Sequence, residues 1–217
     1  MLEAIFLGTI IPLIFLIIVL KGENRLMMVF FSWGLIAFVM SLSVNNMIVK
    51  HFGFSTSQLA VTWAPVLEEL FKALPLVYFL RKSTPTNQPV IYFAMAAGIG
   101  FSIQENFLYL LHHPGGNGSP LFYIVIRSIT TCLMHGIATA IIGYGISLIR
   151  RIKMMTLPLL FGLFSLSVTL HALFNLYINS ALKPLGLILP IMIYIVGVLV
   201  VMPGDDAAQR VDDARTN

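Results

Sequence analysis

Seven apolar runs, each ended by a short polar break, account for almost the whole chain: Leu2–Leu20, Leu26–Val49, Leu59–Leu80, Val90–Leu111, Leu121–Ile149, Thr156–Ile178 and Leu185–Met202. Each approaches or exceeds the roughly 20 residues that a helix needs to cross the hydrocarbon of a bilayer. The breaks are Lys21–Arg25, Lys50–Gln58, Arg81–Pro89, His112–Pro120, Arg150–Lys153 and Asn179–Pro184, none long enough for a folded insertion. The pattern predicts an all-α polytopic membrane protein, a bundle of about seven transmembrane helices forming one domain over residues 1–202. Residues 203–217 hold Asp205, Asp206, Arg210, Asp212, Asp213 and Arg215 among few apolar positions. They are expected to be a disordered polar tail. The first run lacks a basic flank before it and a small-residue cleavage site after it, so it reads as a retained span and not a removed signal.

Composition strengthens the membrane reading. The chain has 217 residues, 58% hydrophobic and 10% charged, where soluble domains carry about 25% charged residues. The net charge of +4 does not point to nucleic acid, because the basic residues flank apolar runs and form no patch. Cys132 is the only cysteine, which excludes an internal disulfide and a multi-cysteine zinc cluster. The basic residues also predict orientation. Lys21, Arg25, Arg81, Lys82, Arg150, Arg151 and Lys153 fall in the first, third and fifth breaks, against Lys50 and Lys183 in the others. By the positive-inside rule the odd breaks face the cytoplasm, with the N-terminus outside and the C-terminus inside.

Against that background one stretch stands out, Ala64-Pro65-Val66-Leu67-Glu68-Glu69-Leu70-Phe71-Lys72-Ala73-Leu74-Pro75. Each charge at the centre of a spanning helix costs about 2.5–3.5 kcal/mol on insertion scales. Two carboxylates and an ammonium in five residues therefore mark a functional site with partners on other helices. The remaining ionisable groups within the apolar runs include Glu105, Arg127, His135 and His171, with Asn106 and Asn175 as amides. At about 1.5 Å rise per residue, Glu68 lies ~14 Å, His171 ~11 Å and Glu105 ~9 Å below the outer surface, and His135 ~16 Å if the membrane begins near Val125. Four helices thus bring polar groups into one slab of the outer half of the bilayer.

Spacing within the helices refines the picture. Glu68 and Lys72 are four apart and share a face, so the ammonium can offset one carboxylate. Glu69 is rotated by about 100° and looks toward another neighbour. His171 and Asn175 are also four apart. Pro65 and Pro75 bracket the carboxylates, each removing a helical hydrogen bond. Glu105 with Arg127 reads equally well as a structural ion pair or as part of the site.

Paired carboxylates in a low dielectric supply an acid and a base side by side, because both do not ionise easily. Imidazoles and an amide add groups that hold an activated water and donate to a developing oxyanion. The set points to hydrolysis by activated water. Zn²⁺ is the other option, since two histidines with carboxylates suit it, although no H-E-x-x-H is present. The candidate ligands are Glu69, Glu105, His135 and His171.

Glu68-Glu69-x-x-Lys72, Phe101-x-x-x-Glu105-Asn106, His135 and His171-x-x-x-Asn175, in order and on separate apolar runs, resemble the PrsW family of intramembrane proteases, akin to the type II CAAX endopeptidases. The resemblance implies an intramembrane endopeptidase making a site-1-type cut in a membrane-associated protein. By motif, Glu68 resembles the water-activating base, Glu69 its supporting acid, His171 and Asn175 the oxyanion-side pair and His135 a further membrane histidine. Glu105 stands where the broader CAAX pattern has histidine, which admits a Glu/His metal set. Lys72, Asn106 and Arg127 are supporting residues. Two other classes compete: a non-catalytic membrane scaffold, and a small-solute or proton-coupled transporter. Retention of both glutamates argues against the first. The lack of paired inverted halves with interrupted helices argues against the second.

Overall fold

The computed structural model describes residues 2–81, 90–112, 119–152 and 156–197. Among them the ordered elements are all helical: α1 (Leu2–Val19), α2 (Gly22–Phe52), α3 (Thr56–Val61), α4 (Trp63–Ala73), a 3₁₀ turn (Leu74–Leu76), α5 (Val77–Arg81), α6 (Val90–Leu111), α7 (Pro120–Ile152) and α8 (Thr156–Ile178). A further apolar helix, α9, covers Lys183–Gly197. Helices long and apolar enough to cross a membrane include Gly22–Phe52, Leu121–Ile149 and Leu157–Ile178. The all-α membrane bundle expected from the hydrophobic pattern is therefore what the chain forms. The polar tail lies outside the described residues.

Several boundaries differ from expectation. The break at Lys21–Arg25 shrinks, because α2 already begins at Gly22. More consequentially, the run Leu59–Leu80 is not one helix. It is interrupted at Thr62, whose φ of −120° and ψ of −89° are not helical, and again at the 3₁₀ turn around Pro75. Apolar periodicity does not register such interruptions, since every fragment keeps its apolar character.

Each interruption frees backbone carbonyls that lipid cannot satisfy. Pro75 has no N–H to offer the carbonyl four residues earlier. That carbonyl, Phe71 O, instead accepts from Trp33 Nε1 at 2.8 Å. At the upstream break, Ala60 O accepts from Asn175 Nδ2 at 2.8 Å. The broken α3–α4–α5 segment is thus held from both sides, by α2 and by α8.

α2 and α6 run parallel. Gly34 abuts Ala97 and Phe101, and Phe38 stacks edge-on against Phe101 at 5.4 Å. A parallel pair requires the intervening segment to return across the bundle, which α3–α5 does. α6 and α7 run antiparallel, with Gly98 against His135 and Ala94 against Gly143. A Cβ on Gly98 would collide with the His135 carbonyl. This glycine therefore sets how closely α7 brings His135 to α6. α7 and α8 are antiparallel as well, joined by Ser167 Oγ donating to Ala138 O at 2.7 Å.

Candidate functional site

Four helices deliver the charged side chains to one place. Glu69 and Lys72 on α4 have fully buried side chains and pair at 2.5 Å. The same Glu69 oxygen lies 2.8 Å from His171 Nδ1 of α8, and its second oxygen is 3.4 Å from the Thr139 hydroxyl of α7. The Lys72 ammonium also lies 2.9 Å from His135 Nδ1. His135 Nε2 is 2.9 Å from Glu105 Oε2 of α6, and Arg127 of α7 meets that oxygen at 3.1 Å. The chain of contacts runs from His171 through Glu69, Lys72, His135 and Glu105 to Arg127.

The partners assign the imidazole protons. An ammonium has only donors, so His135 Nδ1 accepts from Lys72 and Nε2–H donates to Glu105. A carboxylate accepts, so His171 Nδ1–H donates to Glu69. The other ring nitrogen of His171, Nε2, is turned toward Glu68 Oε2, 3.6 Å away. That Glu68 oxygen is buried and has no hydrogen-bond partner. Two carboxylates one residue apart therefore have different tasks. Glu69 is saturated by Lys72, His171 and Thr139, while Glu68 Oε2 meets only the His171 ring at 3.6 Å.

The pairing of Lys72 corrects the spacing argument. Its ammonium binds Glu69, three residues back, and not Glu68, four back. Both spacings are sterically open on a helix, and the choice falls on the carboxylate that is itself fully buried. Glu68, with a side chain 12% exposed, turns instead into a cleft of about 200 Å³. Phe38, Ser41 and Asn45 of α2, Ala60 and Ala64 of α3–α4, Glu105 and Tyr109 of α6, and Asn175 of α8 contribute to its walls. A neighbouring cleft shares Leu42, Asn46, Leu108 and Tyr109 with it and continues to His112.

Of the residues singled out in the sequence, Glu68, Glu69, Lys72, Glu105, Arg127, His135 and His171 are brought together. Asn175 lines the cleft, but its amide donor is committed to Ala60 O. Asn106 is buried with its Oδ1 unpartnered and is not in the cleft wall. Several neighbours escaped the sequence reading. Thr139 lies one turn after His135 on α7, and that i,i+4 spacing was the available signal. Asn45 and Asn46 form an amide pair inside an apolar run, the same kind of mark that picked out Asn106. The Tyr109 ring, 3.5 Å from the Arg127 guanidinium, had no signal beyond its position one turn after Glu105.

The donor set suits a metal ion. Glu68, His135 and His171 bring possible ligand atoms within 4.8 Å of one another, although both His135 nitrogens are engaged here, by Lys72 and by Glu105. One carboxylate and two imidazoles are a set that leaves a coordination position open on Zn²⁺. The Glu69 carboxylate on His171 Nδ1 is the outer-shell contact that orients metal-binding histidines. Two features argue for fit: the orphaned Glu68 oxygen and the His171 Nε2 facing it. Glu69 and Glu105, named as candidate ligands, hydrogen-bond the two imidazoles in this structure.

A family model described as PrsW family intramembrane metalloprotease matches residues 22–203. No curated protein and no solved structure matches the chain.

Proposed function

The chain belongs to the PrsW family of intramembrane metalloproteases, and from that premise we propose that it hydrolyses a peptide bond of a membrane-associated protein by water activated at Glu68. The observation that carries this reading is the buried, unpartnered Glu68 Oε2 facing His171 Nε2 at the wall of a cleft. In this reading Glu68 takes the proton of the attacking water and later hands it to the leaving amine. Glu69 locks the His171 ring so that its Nε2 faces the reacting water. Glu105 and Arg127 hold His135, and Lys72 neutralises Glu69 so that the proton is not diverted to it. His171, one oxygen of Glu68, and His135 once its Nδ1 leaves Lys72 would hold the metal ion, Zn²⁺ by chemistry of the donors, and the other Glu68 oxygen would remain the base. When bound, such an ion would polarise the scissile carbonyl and lower the pKa of bound water. Asn175 acts by fixing the α3–α4 break that turns Glu68 into the cleft.

The basic residues of the odd-numbered breaks support a cleft that opens to the outer side, a site-1-type position, with the C-terminal tail in the cytoplasm. Residues 1–202 would form the single protease domain. The decisive measurement is cleavage by purified Glu68→Gln beside elemental analysis and chelation of the wild type. Loss of cleavage with a retained fold is expected. Processing at the wild-type rate by Glu68→Gln would overturn the assignment.

A further inference from the structure

Asn45 lies on the cleft-lining face of α2, one turn beyond Ser41 and one turn before Val49, and all three belong to the cleft wall. It is 8% exposed, and its Oδ1 is buried without a hydrogen-bond partner. Ser41 is satisfied locally, its hydroxyl donating to Phe38 O at 3.0 Å. Asn45 thus carries an unsatisfied polar group next to the cleft that Glu68 lines, and the two side chains approach that space from different helices.

We infer that the Asn45 amide is a substrate-binding group that hydrogen-bonds the backbone of an extended, non-helical polypeptide segment lying in the cleft beside Glu68. This rests on the proteolytic reading above and names the class of chain the site accepts. A side-chain carbonyl needs a donor. In a helical substrate every mid-helix N–H is already bonded within the helix, and in lipid that bond is not given up. An extended segment keeps its N–H groups free and repeats them along the strand. An amide side chain, with an acceptor and donors together, matches a peptide group's own donor and acceptor. Asn45 therefore selects against an intact transmembrane helix and for an unwound or juxtamembrane stretch. The adjoining cleft past Asn46 and Tyr109 toward His112 gives that stretch room to continue toward the end of α6.

The test uses full-length protein in detergent micelles and fluorescently labelled β-casein, an extended polypeptide, as the probe. Binding is read on Glu68→Gln protein, so that the probe stays intact, and cleavage on protein with Glu68. Asn45→Ala is expected to weaken probe binding and raise KM by about tenfold, with kcat changed less than twofold, the scale of one lost hydrogen bond to a buried group. Asn45→Ser keeps a neutral acceptor and adds no charge to the span, and it is expected to fall between Asn45→Ala and the wild type. A stapled helical peptide of the same length is expected to compete at least tenfold more weakly than its unstapled form. Casein binding and cleavage unchanged in both Asn45 variants would overturn the inference while leaving the protease reading intact. Asn45-dependent binding without cleavage by the wild type would sink the protease reading and keep the peptide cleft. No binding of casein at all would overturn the inference outright.

Discussion

α4–α5, α6 and α7 contribute to two layers of opposite character. In one, Phe30, Phe79 and Phe93 pack with ring centroids 5.3–5.6 Å apart, surrounded by Leu76, Ala94, Ala97, Ile142 and Ile146. In the other, a few turns along the same helices, Glu69, Lys72, Glu105 and His135 replace the hydrocarbon. The aromatic layer is held by many weak, non-directional contacts, so a change of shape costs only what it fails to fill. The charged layer depends on reciprocal partners at low dielectric, where removing one member leaves another uncompensated. The lesson is that burial alone does not rank residues in this bundle; what a neighbour loses on substitution does.

That contrast can be broken at several points. The largest effect is expected from Glu68→Gln, whose carboxylate makes no hydrogen bond within the charged layer and meets only the His171 ring at 3.6 Å: cleavage should fall by about 10³-fold, within the range for a general base, while the melting temperature stays put. A melting temperature that dropped sharply would show Glu68 to be structural, like Glu69. Next, Lys72→Met strands the Glu69 carboxylate and should destabilise by about 3–5 kcal/mol. Adding Glu69→Gln to it should restore much of that loss. Thermal unfolding in micelles reads the cycle, and strict additivity of the two changes would refute the coupling. In the aromatic layer, Phe79→Leu is expected to cost about 1 kcal/mol and leave cleavage near wild type. The smallest effect belongs to Ser167→Ala, which removes one interhelical hydrogen bond worth about 0.6 kcal/mol in membrane proteins. A loss above 2 kcal/mol there would mean that the α7–α8 contact does more than the geometry suggests.

Some of this was open to reading without coordinates. Long apolar runs have one stable solution in lipid, the helix, because backbone groups there must bond internally. Charged residues in such runs are costly enough that Glu68, Glu69, Lys72, Glu105, His135 and His171 mark themselves. Spacing failed where two geometries were equally open, as with Lys72, which sits three residues from one carboxylate and four from the other. It also failed at Thr62, because a break in a helix need not interrupt its hydrophobicity.

What the chain determined by itself is the class of architecture and the inventory of polar groups inside it, since both follow from the transfer energy of each residue taken separately. Tertiary structure alone decided which carboxylate is spent on Lys72 and which is left facing His171, how Trp33 and Asn175 cap the broken segment, and that Asn45 joins the cleft. Those outcomes depend on which groups from distant helices compete for the same partner, and such competition is settled only once the helices are packed.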